Sequence, residues 1–406
     1  MQAVASALMS APGRAYLVGG PVRDLILGLT PKDWDVATNL TPEQVLSVFP
    51  DAVTVGIEFG RVQVSGIDVV SLRAESGYED SRHPSSVEFG VPVEEDLRRR
   101  DFTVNAMAAE FPSLQVIDPF GGVSDLFARI LRSVGDPRDR LEEDPLRILR
   151  AIRFKTVLGL NLHSSVASAL PQTAHLLSRV SGPRTFAELR RIILAPGVYQ
   201  GILDLAAYGL GAVALPEVFG GDDGSVEETA RALAASPPDL ATRLALLLRN
   251  SGEEAARAAF ERFGAESSLR RDVCWLLTRA LARECAASGD SCDSSRWAYE
   301  ARKLIQDGGL ENVVRLVDLE QAVWRSRGQT GIPERTAELA LGTRLAEKCA
   351  PGPLALSGDD VKKLTGASGR QVGEALAYLQ DLVLREPSAN TKAFLENAVR
   401  EWWEKR

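Results

Sequence analysis

The character of the sequence changes after residue 136. Before that point, short apolar or alternating runs are separated by stretches of helical spacing, a pattern that predicts strands and helices in one mixed α/β region. From residue 141 to the end, apolar residues recur at the helical period and strand-like alternation is nearly absent. The chain is therefore expected to fold as α+β, with a small mixed-sheet head followed by an elongated all-α extension.

The length also argues for several domains. A chain of 406 residues is too long for one compact domain. Its 45% hydrophobic and 25% charged residues are ordinary globular values, which excludes wholesale disorder. Glycine- and proline-containing breakers interrupt the helical part. We predict four segments, a head, a neck, a helical body and a helical tail, at residues 1–136, 137–200, 201–340 and 341–406.

The sequence predicts a cytoplasmic protein without a membrane partner. No apolar run approaches the roughly 18–20 residues that span a bilayer, and the N-terminus has neither a basic lead nor a long apolar stretch. The cysteines form no CxxC pair, which argues against a disulfide scaffold or a thiolate zinc site. We expect them to be small buried residues in a reducing compartment. They are Cys274, Cys285, Cys292 and Cys349.

Charge is unevenly distributed along the chain. The net charge of −8 gives no support for nucleic-acid binding by the chain as a whole. Residues 138–200 nevertheless hold ten Lys and Arg against five Asp and Glu. This local excess predicts a surface that tolerates a polyanion, although arginine-rich helices are usually just solvated faces.

A pair of glycines joins the first predicted strand to a helix. In residues 19–24 (GGPVRD), the strand ends at Gly19 and Gly20 and the chain turns directly into helical spacing. Glycine permits close backbone approach, and the free N–H groups of a first helical turn attract phosphate. Arg23 would add a charged fork to such a site. A simple tight turn is the alternative interpretation.

Two carboxylates, Asp33 and Asp35, lie in an alternating stretch that predicts a strand. Residues i and i+2 of a strand face the same side, so the two carboxylates would repel each other unless a cation lies between them. Mg²⁺ prefers such oxygen ligands, and two-metal nucleotidyl transfer needs this arrangement. The simpler interpretation is a polar strand edge, but the position shortly after the glycine turn favours the catalytic one.

Three consecutive arginines occur in residues 94–101 (EEDLRRRD), before an apolar stretch. They could form a solvated helix face. They could equally contact a triphosphate, with Asp101 orienting one guanidinium group. The sequence leaves both interpretations open.

The fourth charged group begins at Asp144 and continues at every third residue. Proline follows at 145, which suits a first helical turn, so the Asp144 carboxylate is expected close to a helix N-terminus. A fixed carboxylate beside Arg147 can accept from the exocyclic amino group of cytosine or adenine while the arginine donates to the ring nitrogen. Uracil and guanine would leave the carboxylate unpaired. The pattern therefore predicts acceptance of CTP and ATP; ion pairing that merely supports the helix is the alternative.

The four motifs occur in order within about 140 residues, as YLVGGPVRD, PKDWDVAT, EEDLRRRDFTVNAMA and EEDPLRILRAIRF. In this combination the chain resembles the class II tRNA nucleotidyltransferases, within the CCA-adding enzyme and bacterial poly(A) polymerase family of the polymerase-β superfamily. Residues 354–383 are similar to the family's tail, whereas residues 200–350 match weakly. The resemblance implies a polymerase-β-like head followed by a neck, a body and a tail.

The resemblance also implies roles for individual residues. Asp33 and Asp35 would hold Mg²⁺, with a third carboxylate from either Asp68 or Glu75. Asp144 and Arg147 would read the base on a neck helix. The remaining residues would contact the nucleotide's phosphates or sugar or complete its pocket, and they are Gly20, Arg23, Arg100, Arg150 and Arg153. The polar stretch 75–90 corresponds to a flexible family loop linked to adding the final A, and its composition predicts a mobile loop.

The implied activity is untemplated addition of C, C and A to the 3′ end of tRNA from CTP and ATP. The neck, body and tail would hold the acceptor stem mostly through its backbone and shape, and no obligate protein partner is expected. An enzyme that adds only A to CC-ended tRNA, working with a separate CC-adding enzyme, is the main alternative. A poly(A) polymerase and an RNA-binding protein without catalysis are weaker ones.

Overall fold

The computed structural model describes residues 1–54, 56–57, 60–78, 84–220, 223–285, 294–348 and 352–405. The chain divides into two compact units. The first comprises Met1–Val226 with Arg262–Gly264, and the second comprises Glu227–Glu261 with Ala265–Arg406. These units are coarser than the four predicted segments, whose boundaries stay predictions.

The strands of the head are β1 (Ala15–Val18), β2 (Asp35–Thr38), β3 (Val53–Thr54), β4 (Arg61–Val64), β5 (Ile67–Ser71), β6 (Arg73–Tyr78), β7 (Pro84–Phe89), β8 (Ala108–Glu110) and β9 (Gln115–Ile117). Seven of them form a mixed sheet with the strand order β3-β4-β5-β2-β1-β8-β9. Strands β2 and β5 pair in parallel, and the other neighbours in this sheet pair antiparallel. The head helices are α1 (Gln2–Ser10), α2 (Gly20–Ile26), α3 (Pro42–Val48), α4 (Val93–Arg98) and α5 (Gly122–Phe127).

Strand β1 lies inside the sheet, and its four residues are all buried. Successive side chains of a strand point to opposite faces. Leu17 accordingly packs in one hydrophobic cluster, with residues of α1 and α3. Tyr16 and Val18 pack in another, with residues of α4. Because both faces of β1 are covered, the core fixes the end of this strand, and with it the point at which the chain turns towards α2.

Two local predictions need correction. Strand β2 begins at Asp35, so Asp33 lies in the turn before the strand instead of on it. The stretch 75–90, predicted as a mobile loop, is largely occupied by an antiparallel hairpin of β6 and β7. Residues 79–83, at the tip of this stretch, are outside the described residues.

From residue 137 onward the described chain is almost entirely helical. One short exception is β11 (Asn161–Leu162), which pairs in parallel with β10 (Ile130–Leu131) of the preceding segment. The helices of residues 137–219 are α6 (Pro137–Glu143), α7 (Leu146–Leu158), α8 (Ser164–Thr173), α9 (Gly182–Leu194), α10 (Val198–Ala207), α11 (Leu210–Ala214) and α12 (Pro216–Phe219). Those that follow are α13 (Asp223–Ala235), α14 (Leu240–Leu248), α15 (Gly252–Phe263), α16 (Ser267–Cys285), α17 (Ser294–Gly308), α18 (Leu310–Ser326), α19 (Glu334–Lys348), α20 (Gly358–Thr365), α21 (Arg370–Arg385) and α22 (Lys392–Glu404).

Helix α7 is held on one side by fully buried Ile148, Leu149 and Ile152, and it packs against α9 and α10. It ends at Gly159, whose φ of +65° is the left-handed conformation typical of a helix C-terminus. The charged residues of the fourth motif lie on a helix whose apolar face is fixed by the core.

The second unit is helical throughout its described residues. Helices α14, α16 and α18 pack on one another, and α17 packs on α18, α19 and α21. The last three helices share a separate hydrophobic cluster that includes Leu379, Val383, Leu395 and Val399. Tyr299 of α17 hydrogen-bonds to Asp381 of α21, so polar contacts add to this packing.

Within the described ranges, no helix is both long enough and apolar enough to cross a membrane. Cys274 is a buried free cysteine, as predicted. The side chains of the other three cysteines fall outside the described residues.

Buried Arg302 ties α17 to the end of α21. Its Nε donates to the carbonyl of Leu384 at 2.6 Å and its Nη2 to that of Arg385 at 3.2 Å. The last carbonyls of a helix lack intrahelical partners. Arg302→Leu should therefore lower the free energy of unfolding by about 2 kcal/mol, because buried acceptors lose their donors. Chemical denaturation measures this loss, and exposed Arg325→Leu should change the value by less than about 0.5 kcal/mol.

Candidate active site

A cleft of about 960 Å³ lies in the first unit, where the sheet, the turn before α2 and helices α7 and α9 come together. Nine arginines and four aspartates line it, so its charge favours a polyanionic ligand. Eight of the nine predicted site residues are in this lining: Gly20, Arg23, Asp35, Arg100, Asp144, Arg147, Arg150 and Arg153. The ninth, Asp33, is exposed in the turn before β2.

The turn between β1 and α2 brings the backbone close to an arginine from another element. Gly19 has a φ of +72°, a conformation that residues with a side chain rarely adopt. A Cβ atom at this position would lie 2.6 Å from Nη1 of Arg100. The backbone conformation therefore favours glycine here, and a side chain would also displace the guanidinium group.

Arg23 is held by side chains on two sides. Its Nη1 donates to Oδ1 of Asn105 at 2.7 Å, and its Nε and Nη2 donate to Oδ1 of Asp24 at 2.9 and 2.7 Å. Asn105 in turn donates from Nδ2 to Oδ1 of Asp101 at 3.2 Å. The Arg23 guanidinium group is thereby fixed and linked to the next charged cluster.

Asp96 organises two of the three consecutive arginines. Its carboxylate accepts from Nη2 of Arg99 at 2.7 Å and from Nη2 of Arg100 at 3.1 Å. Burial alone would raise the pKa of Asp96, but the charges of Arg100 and Arg99 and their hydrogen bonds hold it below its usual range. Arg98 instead lies outward and pairs with Glu95.

The structure places Asp101 differently from the sequence hypothesis, in which it orients one of the three arginines. Its Oδ2 accepts from Nε of Arg150 on α7 at 2.7 Å. Burial would raise the pKa of Asp101, but the charge and hydrogen bonds of Arg150, with the charge of Arg147 and a hydrogen bond from Asn105, lower it. This ion pair links the head to the helix that carries the fourth motif.

Asp144 lies between α6 and α7, next to the first turn of α7. Its Oδ1 accepts from the N–H of Leu146 at 3.2 Å, which confirms a fixed carboxylate close to the helix N-terminus. Nη2 of Arg184 on α9 lies 3.4 Å from each of its two oxygens. The ion-pair partner of Asp144 is thus Arg184, whereas Arg147 pairs with Glu143.

Arg147 is fixed by three hydrogen bonds. Its Nη1 donates to Oε2 of Glu143 at 2.9 Å and to the carbonyl of Arg140 at 3.1 Å. Its Nη2 donates to the carbonyl of Arg99 at 2.9 Å. A guanidinium group has five N–H donors, so within the described residues two donors remain for a ligand.

Arg153 lies six residues beyond Arg147 on α7 and is paired in the interior. Its Nε is 2.5 Å from Oε2 of Glu188, and Glu188 is only 5% exposed. Burial lowers the pKa of Arg153 to about 10, although the Glu188 carboxylate acts in the opposite direction. The ion pair joins α7 to α9.

An aromatic ring lies beneath three of these cations. The guanidinium carbons of Arg153, Arg150 and Arg23 are 4.0, 5.3 and 5.7 Å from the ring centre of Phe154. Phe154 meets Phe102 edge-on, with ring centres 5.8 Å apart. Cation–π attraction helps to hold like charges near one another.

The carboxylates on the sheet come from neighbouring strands. Asp35 of β2 is the direct register partner of Asp68 of β5. The pKa of Asp35 is raised by burial and then by the negative charge of Asp68. Asp68 accepts from Arg61 and from Nε2 of Gln63, the latter at 3.3 Å. The side chain of Glu75, the other candidate for a third carboxylate, is outside the described side chains.

The carboxylates Asp35 and Asp68 fit a divalent-metal site of the kind that substrate phosphates complete. Among the described residues, no three His, Cys, Asp or Glu side chains are grouped closely enough to chelate a metal. Mg²⁺ in phosphate-handling sites is commonly held by one or two carboxylates together with substrate phosphates. Mutual repulsion between Asp35 and Asp68 also favours a cation beside them.

Five residues around the cleft hold side chains of the site but were not predicted from the sequence to do so: Asp24, Asp96, Asn105, Arg184 and Glu188. Asp96 could have been recognised from its i,i+3 and i,i+4 spacing to the arginines. Arg184 is forty residues from Asp144 and no local spacing connects them, so only the packing of α9 on α7 reveals the contact.

Comparison with known proteins decides the family. Residues 15–132 match the family described as the Poly A polymerase head domain, and residues 159–219 match the probable RNA and SrmB-binding site of polymerase A. The CCA-adding enzyme of Geobacillus stearothermophilus is 33% identical over 93% of this chain and 90% of its own length. The chain belongs to the class II CCA-adding enzyme family. Other curated relatives match over about half their length, among them the CCA-adding enzyme of Anoxybacillus flavithermus, 43% identical over 50% of this chain and 52% of its own.

The structural comparison agrees with this membership. The crystal structure of the Bacillus stearothermophilus CCA-adding enzyme in complex with CTP has a TM-score of 0.80 and 30% identity, and covers 100% of this chain and 97% of that one. The family and the α+β fold predicted from the sequence are confirmed. The chain is a nucleotidyltransferase with a polymerase-β-type head, a class that generally uses divalent metals.

Replacing the Asp101 carboxylate should destabilise the protein. Asp101→Asn leaves the Arg150 guanidinium without its counter-charge, so the free energy of unfolding at pH 7 should fall by about 3 kcal/mol. Urea unfolding followed by circular dichroism measures it. Exposed Asp139→Asn should change the value by less than about 0.5 kcal/mol.

The same pair gives a pH dependence. Because folding lowers the pKa of Asp101, the stability it contributes is complete above its usual pKa of about 4 and is lost as the pH falls through the lowered value. The stability difference between wild type and Asp101→Asn should therefore shrink below about pH 4. A difference independent of pH would contradict the ion-pair interpretation.

Proposed function

We propose that this chain adds C, C and A to the 3′ end of tRNA from CTP and ATP, with Mg²⁺ as cofactor. The observation that carries the proposal is that one cleft contains two groups of side chains. They are the carboxylates of Asp35 and Asp68 on the sheet, and Asp144 with Arg147 at the start of α7. In the reaction, the 3′ hydroxyl of the RNA attacks the α-phosphorus and pyrophosphate leaves. Family membership supports the same activity.

Base choice would come from Asp144 and Arg147. The Asp144 carboxylate accepts from the amino group of cytosine or adenine, and one of the two remaining donors of Arg147 reaches the ring nitrogen. Uracil and guanine place a carbonyl oxygen against the carboxylate, which leaves both acceptors unpaired. The Asp144–Arg147 pair would therefore accept CTP and ATP and reject UTP and GTP.

The phosphates and sugar would be held by the other cleft arginines and by the glycine turn. Arg23, Arg100 and Arg150 are each fixed by a carboxylate before a ligand arrives. Arg153 completes the pocket beside Phe154, and Gly20 permits close approach of the phosphates. Donors that need no reorganisation stabilise developing charge effectively.

Asp33 and Asp35 would hold the metal, and we assign Asp68 as the third carboxylate because it is the register partner of Asp35. Bound Mg²⁺ activates an attacking hydroxyl and neutralises charge on a triphosphate. The exposed position of Asp33 suits a ligand that engages when nucleotide and metal enter together.

The RNA partner would be the acceptor stem and 3′ end of tRNA. The match of residues 159–219 to an RNA-binding family region supports contact in the neck, and we assign further contacts to the tail. Because tRNA and both nucleotides are abundant in the cytoplasm, we place the activity there.

The assay offers tRNA transcripts ending before CCA, after C and after CC, with Mg²⁺ and each labelled nucleoside triphosphate separately and mixed. Complete CCA on the shortest transcript is the expected result. Incorporation of A alone on the CC-ended transcript would assign an A-adding enzyme. Long A tracts would assign a poly(A) polymerase, and binding without incorporation would leave an RNA-binding protein.

Asp35→Ala should lower nucleotide incorporation at least about 10³-fold, because metal-assisted charge stabilisation supplies several kcal/mol. tRNA affinity, measured by filter binding, should remain within about twofold. Exposed Asp51→Ala in the head is the matched control and should keep wild-type rates. Retention of full activity by Asp35→Ala would exclude Asp35 as a metal ligand.

A further inference from the structure

Helix α9 contacts both ends of the charged series that begins at Asp144, just before α7, and continues along α7. Arg184 pairs with Asp144 at the start of the series, and Glu188 pairs with Arg153 near its end. Arg184 and Glu188 are four residues apart, so they lie on one face of α9. Helix α9 thus presents a positive and then a negative side chain, and their partners, Asp144 and Arg153, are negative and then positive.

The contact of Arg184 restrains the carboxylate that the proposed function assigns to base reading. Nη2 of Arg184 is 3.4 Å from both oxygens of Asp144, and the Leu146 N–H binds Oδ1. These contacts oppose rotation of the carboxylate about χ2. Each oxygen keeps lone pairs for a further donor, and both side chains are partly exposed and line the cleft.

Helix α9 is itself held in position. Glu188 is buried against Arg153. At the start of α9, a Cβ on Gly182 would lie 1.7 Å from the carbonyl oxygen of Arg262, a separation that only glycine permits. Phe186 stacks on Phe263 with ring centres 5.1 Å apart. Arg184 therefore reaches Asp144 from a backbone with little freedom to shift.

We propose that Arg184 is a positioning residue for nucleotide choice, holding the Asp144 carboxylate so that it meets an amino group and not a carbonyl. This inference rests on the proposed function of Asp144. A fixed acceptor is left unpaired by uracil or guanine, whereas a carboxylate free to rotate turns to water and tolerates the wrong base. Arg184 acts through Asp144 and does not touch the reacting atoms.

The test compares Arg184→Gln with Arg190→Gln, an equal charge change at an exposed position of the same helix. The kcat/KM for CTP and UTP is measured on tRNA ending before CCA, and for ATP and GTP on CC-ended tRNA. We expect Arg184→Gln to lower the CTP/UTP and ATP/GTP ratios about tenfold or more, as loss of one charged hydrogen bond permits. Arg190→Gln should keep both ratios, and Arg184→Lys should recover part of the loss.

A double-mutant cycle isolates the contact. In an Asp144→Ala background, Arg184→Gln should change neither ratio further, because its target is gone. Equal loss for right and wrong nucleotides, or the same loss in Arg190→Gln, would overturn the inference and leave the proposed function intact. Wild-type protein that incorporates no nucleotide would instead overturn the proposed function. If Arg184→Gln fails to fold, by circular dichroism, Arg184→Lys decides: unchanged ratios overturn the inference, and lowered ratios support it.

Discussion

A buried carboxylate of the head, Asp101, holds an arginine of helix α7, Arg150, and the arrangement of the cleft depends on that contact. It connects the sheet that carries Asp35 with the helix that carries Asp144. Asn105 extends the connection from Asp101 to Arg23. This chain of hydrogen bonds helps to fix the spacing of carboxylates and arginines from separate elements around a cavity of about 960 Å³.

The density of positive charge in the cleft is maintained by pairing its arginines with carboxylates, one of which, Asp96, is shared by two arginines. Asp96 serves Arg99 and Arg100, Glu143 serves Arg147, and Glu188 serves Arg153. These acceptors are partly or fully buried, so the cations remain directed at the cleft while their mutual repulsion is reduced. The sites are therefore preorganised, which is the condition under which fixed charges assist phosphoryl chemistry.

How much the sequence predicts depends on how local the cause is. The glycine turn, the carboxylate beside α7 and the helical remainder follow from spacing within a few residues, and the structure contains them. The antiparallel pair of β6 and β7 was missed because residues 75–90 are polar and lack the alternation of apolar and polar residues that predicts a strand. Arg184 and Glu188 were missed because contacts with partners 40 and 35 residues away in the chain leave no local signature.

Under the proposed function, the remaining donors of Arg147 and the acceptors of Asp144 limit which bases the cleft can distinguish. Cytosine and adenine offer the same donor–acceptor edge, and uracil and guanine offer the opposite one. The Asp144–Arg147 pair would therefore separate cytosine and adenine from uracil and guanine. It would not separate cytosine from adenine, so a second criterion is needed to select a single base. This second selection, between the single ring of cytosine and the double ring of adenine, has to come from the shape of the binding site. Under the proposed function, the cleft of about 960 Å³, which is near the upper limit for small-ligand sites, would hold the RNA terminus beside the nucleotide, so the growing end would contribute to that shape.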